Sequence, residues 1–258
     1  MPPDSRRGAM TTQSQTAPAP QLPSGFASVA NAPVSAEPTE GVFDAYIWVA
    51  SAKSKQFPDM VKKCPGLIDG DIVYVSQGHT EILRKISFHL MTAAQYWARK
   101  NPATGQPMSG VQFTDPGDRS KYEYIDAVVV IQTSKGLLPA RWRFKSGLVG
   151  AINPAIEELK LVQSDLAAWS TKSASHEVAS KLPVPAPGFR FITDATFSMR
   201  TAKGSGLPYI AGRGQCRPIT PDDGKLIGGL ADAKVAKLCE LVAAEHQKRL
   251  EDVKKLPQ

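Results

Sequence analysis

Cysteine is scarce in this sequence: Cys64, Cys216 and Cys239 stand far apart and in odd number. That spacing excludes a disulfide framework and the paired ligands of a zinc site, and leaves reduced thiols. No run of about 18 apolar residues occurs, and no apolar stretch follows Arg6-Arg7, so neither a membrane helix nor an export signal is expected. The expected location is the cytoplasm, with no membrane partner. Catalytic signatures are missing as well. Gly204-Ser205-Gly206 lacks the spacing of a nucleophile elbow. His176-Glu177 is followed by Ser180 where a metalloprotease needs its second histidine. Neither Gly147-Leu148-Val149-Gly150 nor Gly212-Arg213-Gly214 makes a Walker loop or a dinucleotide fingerprint. Turn formation and helix capping explain Asp69/Asp71 and Asp222/Asp223. The chain therefore reads as a non-enzyme that needs no cofactor and no metal.

What is present is positive charge: 31 Lys+Arg against 24 Asp+Glu give +7, which suits a polyanionic partner. Residues 1–40 are rich in Pro, Ala, Ser, Thr and Gln and too poor in large apolar side chains to offset ordering entropy, so a disordered tail is expected there. Residues 41–220 form the expected single domain, and 221–258 a charged amphipathic helix or tail.

Aromatic and β-branched residues predict strands at Val42 to Ala50 and Ile72 to Val75, separated by an Asp69-Gly70-Asp71 turn. Between Ile82 and Lys100, the positions Ile86, Leu90, Ala93, Ala94 and Trp97 predict one face of a helix, although Lys85 to Leu90 also alternates like a strand. Tyr122 to Gln132 gives the strongest strand signal and is expected in mid-sheet, with Leu138 to Lys145 as its hairpin partner. A helix is expected from Asn153-Pro154 to about Trp169. A strand from Phe189 to Arg200 then turns through Lys203-Gly204-Ser205-Gly206 into Leu207 to Ala211.

The segment Arg141-Trp142-Arg143-Phe144-Lys145 carries the functional signal. Strand alternation places Arg141, Arg143 and Lys145 on one face and Trp142 and Phe144 on the other, a cationic rail backed by core. Such a rail neutralises phosphates with little sequence information; a solvated charged face is the competing explanation. Lys121, Arg190, Arg200, Lys203, Arg213 and Arg217 extend the rail if they converge, and Tyr122, Tyr124 and Tyr209 offer stacking surfaces for bases.

Strands before and after a packed central helix, followed by a long hairpin, look like an elaborated OB-like antiparallel barrel in an α+β, β-rich fold with a C-terminal helix. On Tyr122 to Lys145, the helix after Asn153-Pro154, and Phe189 through Gly206-Leu207-Pro208-Tyr209-Ile210, the stretch from about Phe43 to Pro218 resembles phage-type single-stranded-DNA-binding proteins. That resemblance implies coating or annealing of single-stranded DNA, or RNA, in replication or recombination. The chain departs from that group by ending Lys254-Lys255-Leu256-Pro257-Gln258 instead of in an acidic tail. Self-association through the C-terminal helix is a further expectation. The alternatives are a phage or mobile-element assembly protein and, third, an enzyme with a dispersed site.

Overall fold

Alternating segments dominate the chain, and they assemble as one mixed sheet. The computed structural model describes residues 45–254 apart from 53, 77, 84–85, 103–106, 109, 119, 185, 205, 207, 221–222 and 224–232. The tail expected over 1–40 lies outside the described residues, as do Pro221 and Asp222 at the start of the helix or tail expected over 221–258. The strands are β1 (Tyr46–Val49), β2 (Ile72–Ser76), β3 (His79–Ile82), β4 (Ile86–Arg99), β5 (Lys121–Thr133), β6 (Gly136–Lys145), β7 (Phe191–Thr201) and β8 (Pro208–Pro218). They lie in the order β3-β2-β1-β6-β5-β4-β7-β8. The fold is α+β and strand-rich, with the sheet curled into a half-barrel.

The wholly antiparallel arrangement expected is not what forms. Tyr46 and Ile47 pair in parallel with Arg141 and Trp142, because β1 joins the free edge of β6 after the long excursion through β2 to β5, and parallel neighbours need such a crossover. Strands β4, β5 and β6 make a meander, and β7 comes back to lie beside β4. The set β7-β4-β5-β6 is therefore a Greek key.

In place of the helix expected over Ile82 to Lys100 the chain forms the last residue of β3 and then β4, with 84–85 outside the described residues. Phe88 and Leu90 lie opposite Ile131 and Val129; after a register shift between Leu90 and Thr92, that face is taken over by Ala93 opposite Ala127. A bulge at Met91 thus joins two period-two patterns out of phase, and the join reproduces the apolar spacings of three and four that mark a helix.

Five helices are described: α1 (Phe57–Lys63), α2 (Asn153–Ser164), α3 (Leu166–Ser170), α4 (Ala174–Ser180) and α5 (Ala233–Lys254). The single helix expected through Trp169 breaks at Asp165, whose carboxylate accepts a 2.8 Å hydrogen bond from the Ala168 N–H and caps α3. Helix α1 has no counterpart in the sequence reading; it packs Met60 and Cys64 in a small cluster with Val73.

The inner face of the sheet carries the main core. Trp142 rests edge-on against Phe88 at 5.7 Å and close to Phe144 at 4.4 Å, with the 3-10 turn Ser146–Ala151 and α2 filling the curl. A second 3-10 turn, Pro187–Arg190, straps the outer face at the β4 bulge. There Gly188 lies so close to the Leu90 carbonyl that any Cβ would overlap it. Gly188→Ala is expected to cost about 2 kcal/mol through displaced backbone, read as a lower urea midpoint at unchanged m.

Candidate nucleic-acid interface

The alternation along β6 is as expected: Trp142 and Phe144 are buried, while Arg143 and Lys145 emerge on the outer face and Arg141 is half-buried there. Cross-strand register decides what that rail can do. Arg143 lies opposite Asp126 on β5 and clamps it bidentately, Nε to Oδ1 at 2.6 Å and an Nη to Oδ2 at 2.8 Å. The Tyr96 hydroxyl of β4 donates to the same carboxylate at 2.9 Å. Burial opposes the charge on Arg143, but the hydrogen bonds and charge of Asp126 outweigh it and hold the guanidinium above its ordinary pKa. Burial, then the neighbouring negative charge of Asp126, pushes the Tyr96 phenol well above its usual range. Arg143 thus serves the sheet.

Tyr124 is no stacking platform either. It is 1% exposed and stacks on Tyr96 at 5.6 Å. Helix α5 crosses this outer face against β4, β5 and β6, with Leu250 and His246 buried and the Lys254 ammonium over the Phe113 ring, which in turn meets Tyr96. Exposed positive charge survives at one end of the face. Lys145 is depressed below its ordinary pKa by burial and by the like charges of Lys100 and Arg143. The Lys100 ammonium lies 5.5 Å from the exposed Tyr122 ring. Lys121, opposite Arg99, has the inward parity of β5.

Arg190 is likewise committed to structure: one Nη donates to the carbonyls of Ala179, Ser180 and Leu182 at 2.9, 2.7 and 3.3 Å, closing the end of α4. Arg217 pairs with Asp223 at 2.8 and 3.0 Å.

Arg200, Lys203, Tyr209 and Arg213 have a different setting. Among the described residues, β7 past the Ile86–Ala195 pair is bonded only to β8, and the two run on as a two-stranded ribbon whose β8 packs on the Ser146–Ala151 turn. Arg213 lies opposite Thr196, Ala211 opposite Ser198, and Tyr209 opposite Arg200, all on one face, with Lys203 exposed at the hairpin tip. Thr196, Ser198, Arg200, Ala211 and Arg213, with Gly150 and Gly212, line a half-open groove of about 340 Å³, and Tyr209 and Lys203 stand outside its lining. Glycine is required at its floor, since a Cβ on Gly150 would stand 2.6 Å from the Gly212 carbonyl. Among the described residues no carboxylate pairs with Arg200 or Arg213.

The basic residues therefore do not form one rail. The Arg143 row runs through Asp126 to Ala94, while the Arg213 row lies one step past Ile86, about eight residues or ~25 Å away along the strands. No family model, curated protein or solved structure matches the chain.

Asp126, Tyr96, Thr196 and Ser198 were not singled out by sequence, and Gly150 and Gly212 were weighed only as parts of phosphate loops whose patterns they do not complete. A lone aspartate inside an apolar strand was the available signal for the first, because a buried carboxylate demands a partner. One cluster resembles a hydrolase triad in composition: Ser134 Oγ donates to Glu81 at 2.7 Å, and His79 Nε2 lies 3.0 Å from the same oxygen. The carboxylate stands between serine and histidine, so the imidazole is not placed to take the hydroxyl proton. Glu81, held below the usual carboxylate range by Ser134 and His79 despite its burial, pins β3 to the β5–β6 turn. No helix among the described residues is long and apolar enough to cross a membrane.

Proposed function

We propose that this protein binds single-stranded DNA through the outward face of the β7–β8 ribbon. The carrying observation is the groove in which two arginines, without carboxylate partners among the described residues, flank the Thr196 and Ser198 hydroxyls, beside the 41%-exposed Tyr209. Guanidinium and hydroxyl groups contact phosphates without reading sequence, and an exposed tyrosine accepts any base by stacking. The +7 charge adds a long-range attraction for the strand.

The chain order supports an OB-like reading of β4 to β8. A three-stranded meander is followed by helices and then by a hairpin whose first strand returns beside the first meander strand, the Greek-key logic of a partly open five-stranded barrel. In this reading β1 to β3 with α1 are an addition at the edge of β6.

Fluorescence anisotropy over a salt series tests the proposal. Single-stranded DNA is expected to bind with a negative salt slope. The double reversal Arg200→Glu/Arg213→Glu is expected to weaken binding roughly a hundredfold at low salt, with an unchanged thermal midpoint because both side chains are exposed and neither pairs with a carboxylate among the described residues. Undetectable binding at low salt, or unaltered affinity in the folded double variant, rejects this site. RNA and duplex DNA arms define the preference. A stable oligomer indifferent to every nucleic acid favours the assembly alternative.

A further inference from the structure

We infer that the ribbon groove measures a strand by three consecutive phosphates, with the outer two on Arg213 and Arg200 and the middle one over the Ser198 hydroxyl; this rests on the binding reading above. The three cross-strand rows Arg213–Thr196, Ala211–Ser198 and Tyr209–Arg200 follow one another on the same face. Same-face rows recur every two residues, or ~7 Å, so Arg213 and Arg200 are ~14 Å apart along the ribbon. A stacked strand advances about 3.4 Å per nucleotide and an extended one roughly twice that. Two extended nucleotides therefore span the arginine pair. The middle row presents no cation: Ser198 is exposed there opposite the small Ala211, which offers a hydroxyl hydrogen bond and room for backbone approach.

The floor agrees with this frame. Gly212 has the opposite parity, and a Cβ on it would meet Ala151 Cβ at 2.8 Å and Phe197 at 3.0 Å on the inner side, so it seats β8 closely on the turn beneath, while on the groove side the middle row carries only Ser198 and Ala211. The groove volume of about 340 Å³ accommodates one nucleotide between the flanking guanidinium groups. Tyr209 stands beside Arg200, with its ring edge against Gly147, and its exposed part is positioned to stack the base at that end.

The probe is thymidine trinucleotide carrying a 5′-phosphate, whose three phosphates fix the register, used as competitor against a labelled long oligothymidylate on the full chain. Replacing the central phosphodiester by an uncharged methylphosphonate is expected to weaken competition less than about threefold, since the middle row holds no cation and the remaining phosphoryl oxygen still accepts from the Ser198 hydroxyl. Removing the 5′-phosphate is expected to weaken it about tenfold, and that loss should disappear in one of the two variants, Arg200→Ala or Arg213→Ala, and persist in the other. Equal losses from central and terminal neutralisation, or terminal losses that persist in both variants, overturn the three-phosphate frame. If neither variant weakens the long strand, the site itself fails; if both weaken it without this coupling, only the frame fails.

Discussion

Arg143→Ala is expected to destabilise the fold by about 3 kcal/mol while leaving the affinity of the folded protein for single-stranded DNA within about threefold of wild type. The sequence places Arg143 at the centre of a cationic rail, but its guanidinium is bidentate on Asp126, a side chain only 13% exposed. Truncating the arginine strands a buried carboxylate with the Tyr96 hydroxyl as its donor, and breaking one partner of such a pair costs far more than the pair contributes. The complementary variant Arg143→Met/Asp126→Leu removes both charges and is expected to recover stability to within about 1 kcal/mol of wild type. Urea unfolding gives the energies and anisotropy the affinity. A variant that keeps its stability and loses its DNA would return the binding site to β6.

How much of this was legible depends on the range of the interaction. Strands β5 and β6 were readable because their signals are local: Ala127 to Ile131 is a continuous apolar run buried on both faces of the sheet, and Arg141 to Lys145 alternate as a two-residue period requires. Strand β4 was not readable, because the bulge at Met91 shifts the phase midway and the resulting spacing is that of a helix. The fate of each cation was equally hidden. Arg143, Arg190 and Arg217 are indistinguishable from Arg200 and Arg213 in sequence. What separates them is a carboxylate or a set of carbonyls supplied by cross-strand register or by a returning turn.

The same logic reorders the candidate site. Residues chosen for a single rail divide between a face crossed by α5 and an open ribbon at the far end of the sheet. Charge density alone favoured β6, with three cations in five residues. Neutralisation and covering then favour β7–β8, where fewer cations remain available to a polyanion. Binding depends on phosphates neutralised in the complex, so an arginine already clamped on a carboxylate contributes little to counterion release.

Acidification from pH 7 to pH 4 is expected to remove about 3 kcal/mol of stability through His89 alone. This side chain is 1% exposed behind the Gly188 strap, with the Phe189 ring edge-on at 5.7 Å, and its Nδ1 donates to the Phe191 carbonyl at 2.7 Å. Burial lowers its pKa to about 4, outweighing the carbonyls of Phe191 and Gly188 and the Asp223 charge that favour protonation, while Arg217 adds to the depression. The unfolded chain takes up a proton near the ordinary value of about 6.5 and the folded chain does not until about 4. The unfolded state therefore binds more protons throughout that window, and stability present above it is lost as pH falls across it. Glu81 and Asp223, whose carboxyls are held below their ordinary values, have the same sign but act below about pH 4.5. The two windows are separable. His89→Asn places an amide N–H at the Nδ1 position for the Phe191 carbonyl and has nothing to titrate, so its unfolding free energy should fall far less between pH 6.5 and 4.5 than that of the wild type, the remainder coming from groups such as His176, whose pKa burial also lowers. Parallel pH profiles for the two proteins would show that His89 is not the group that senses acid.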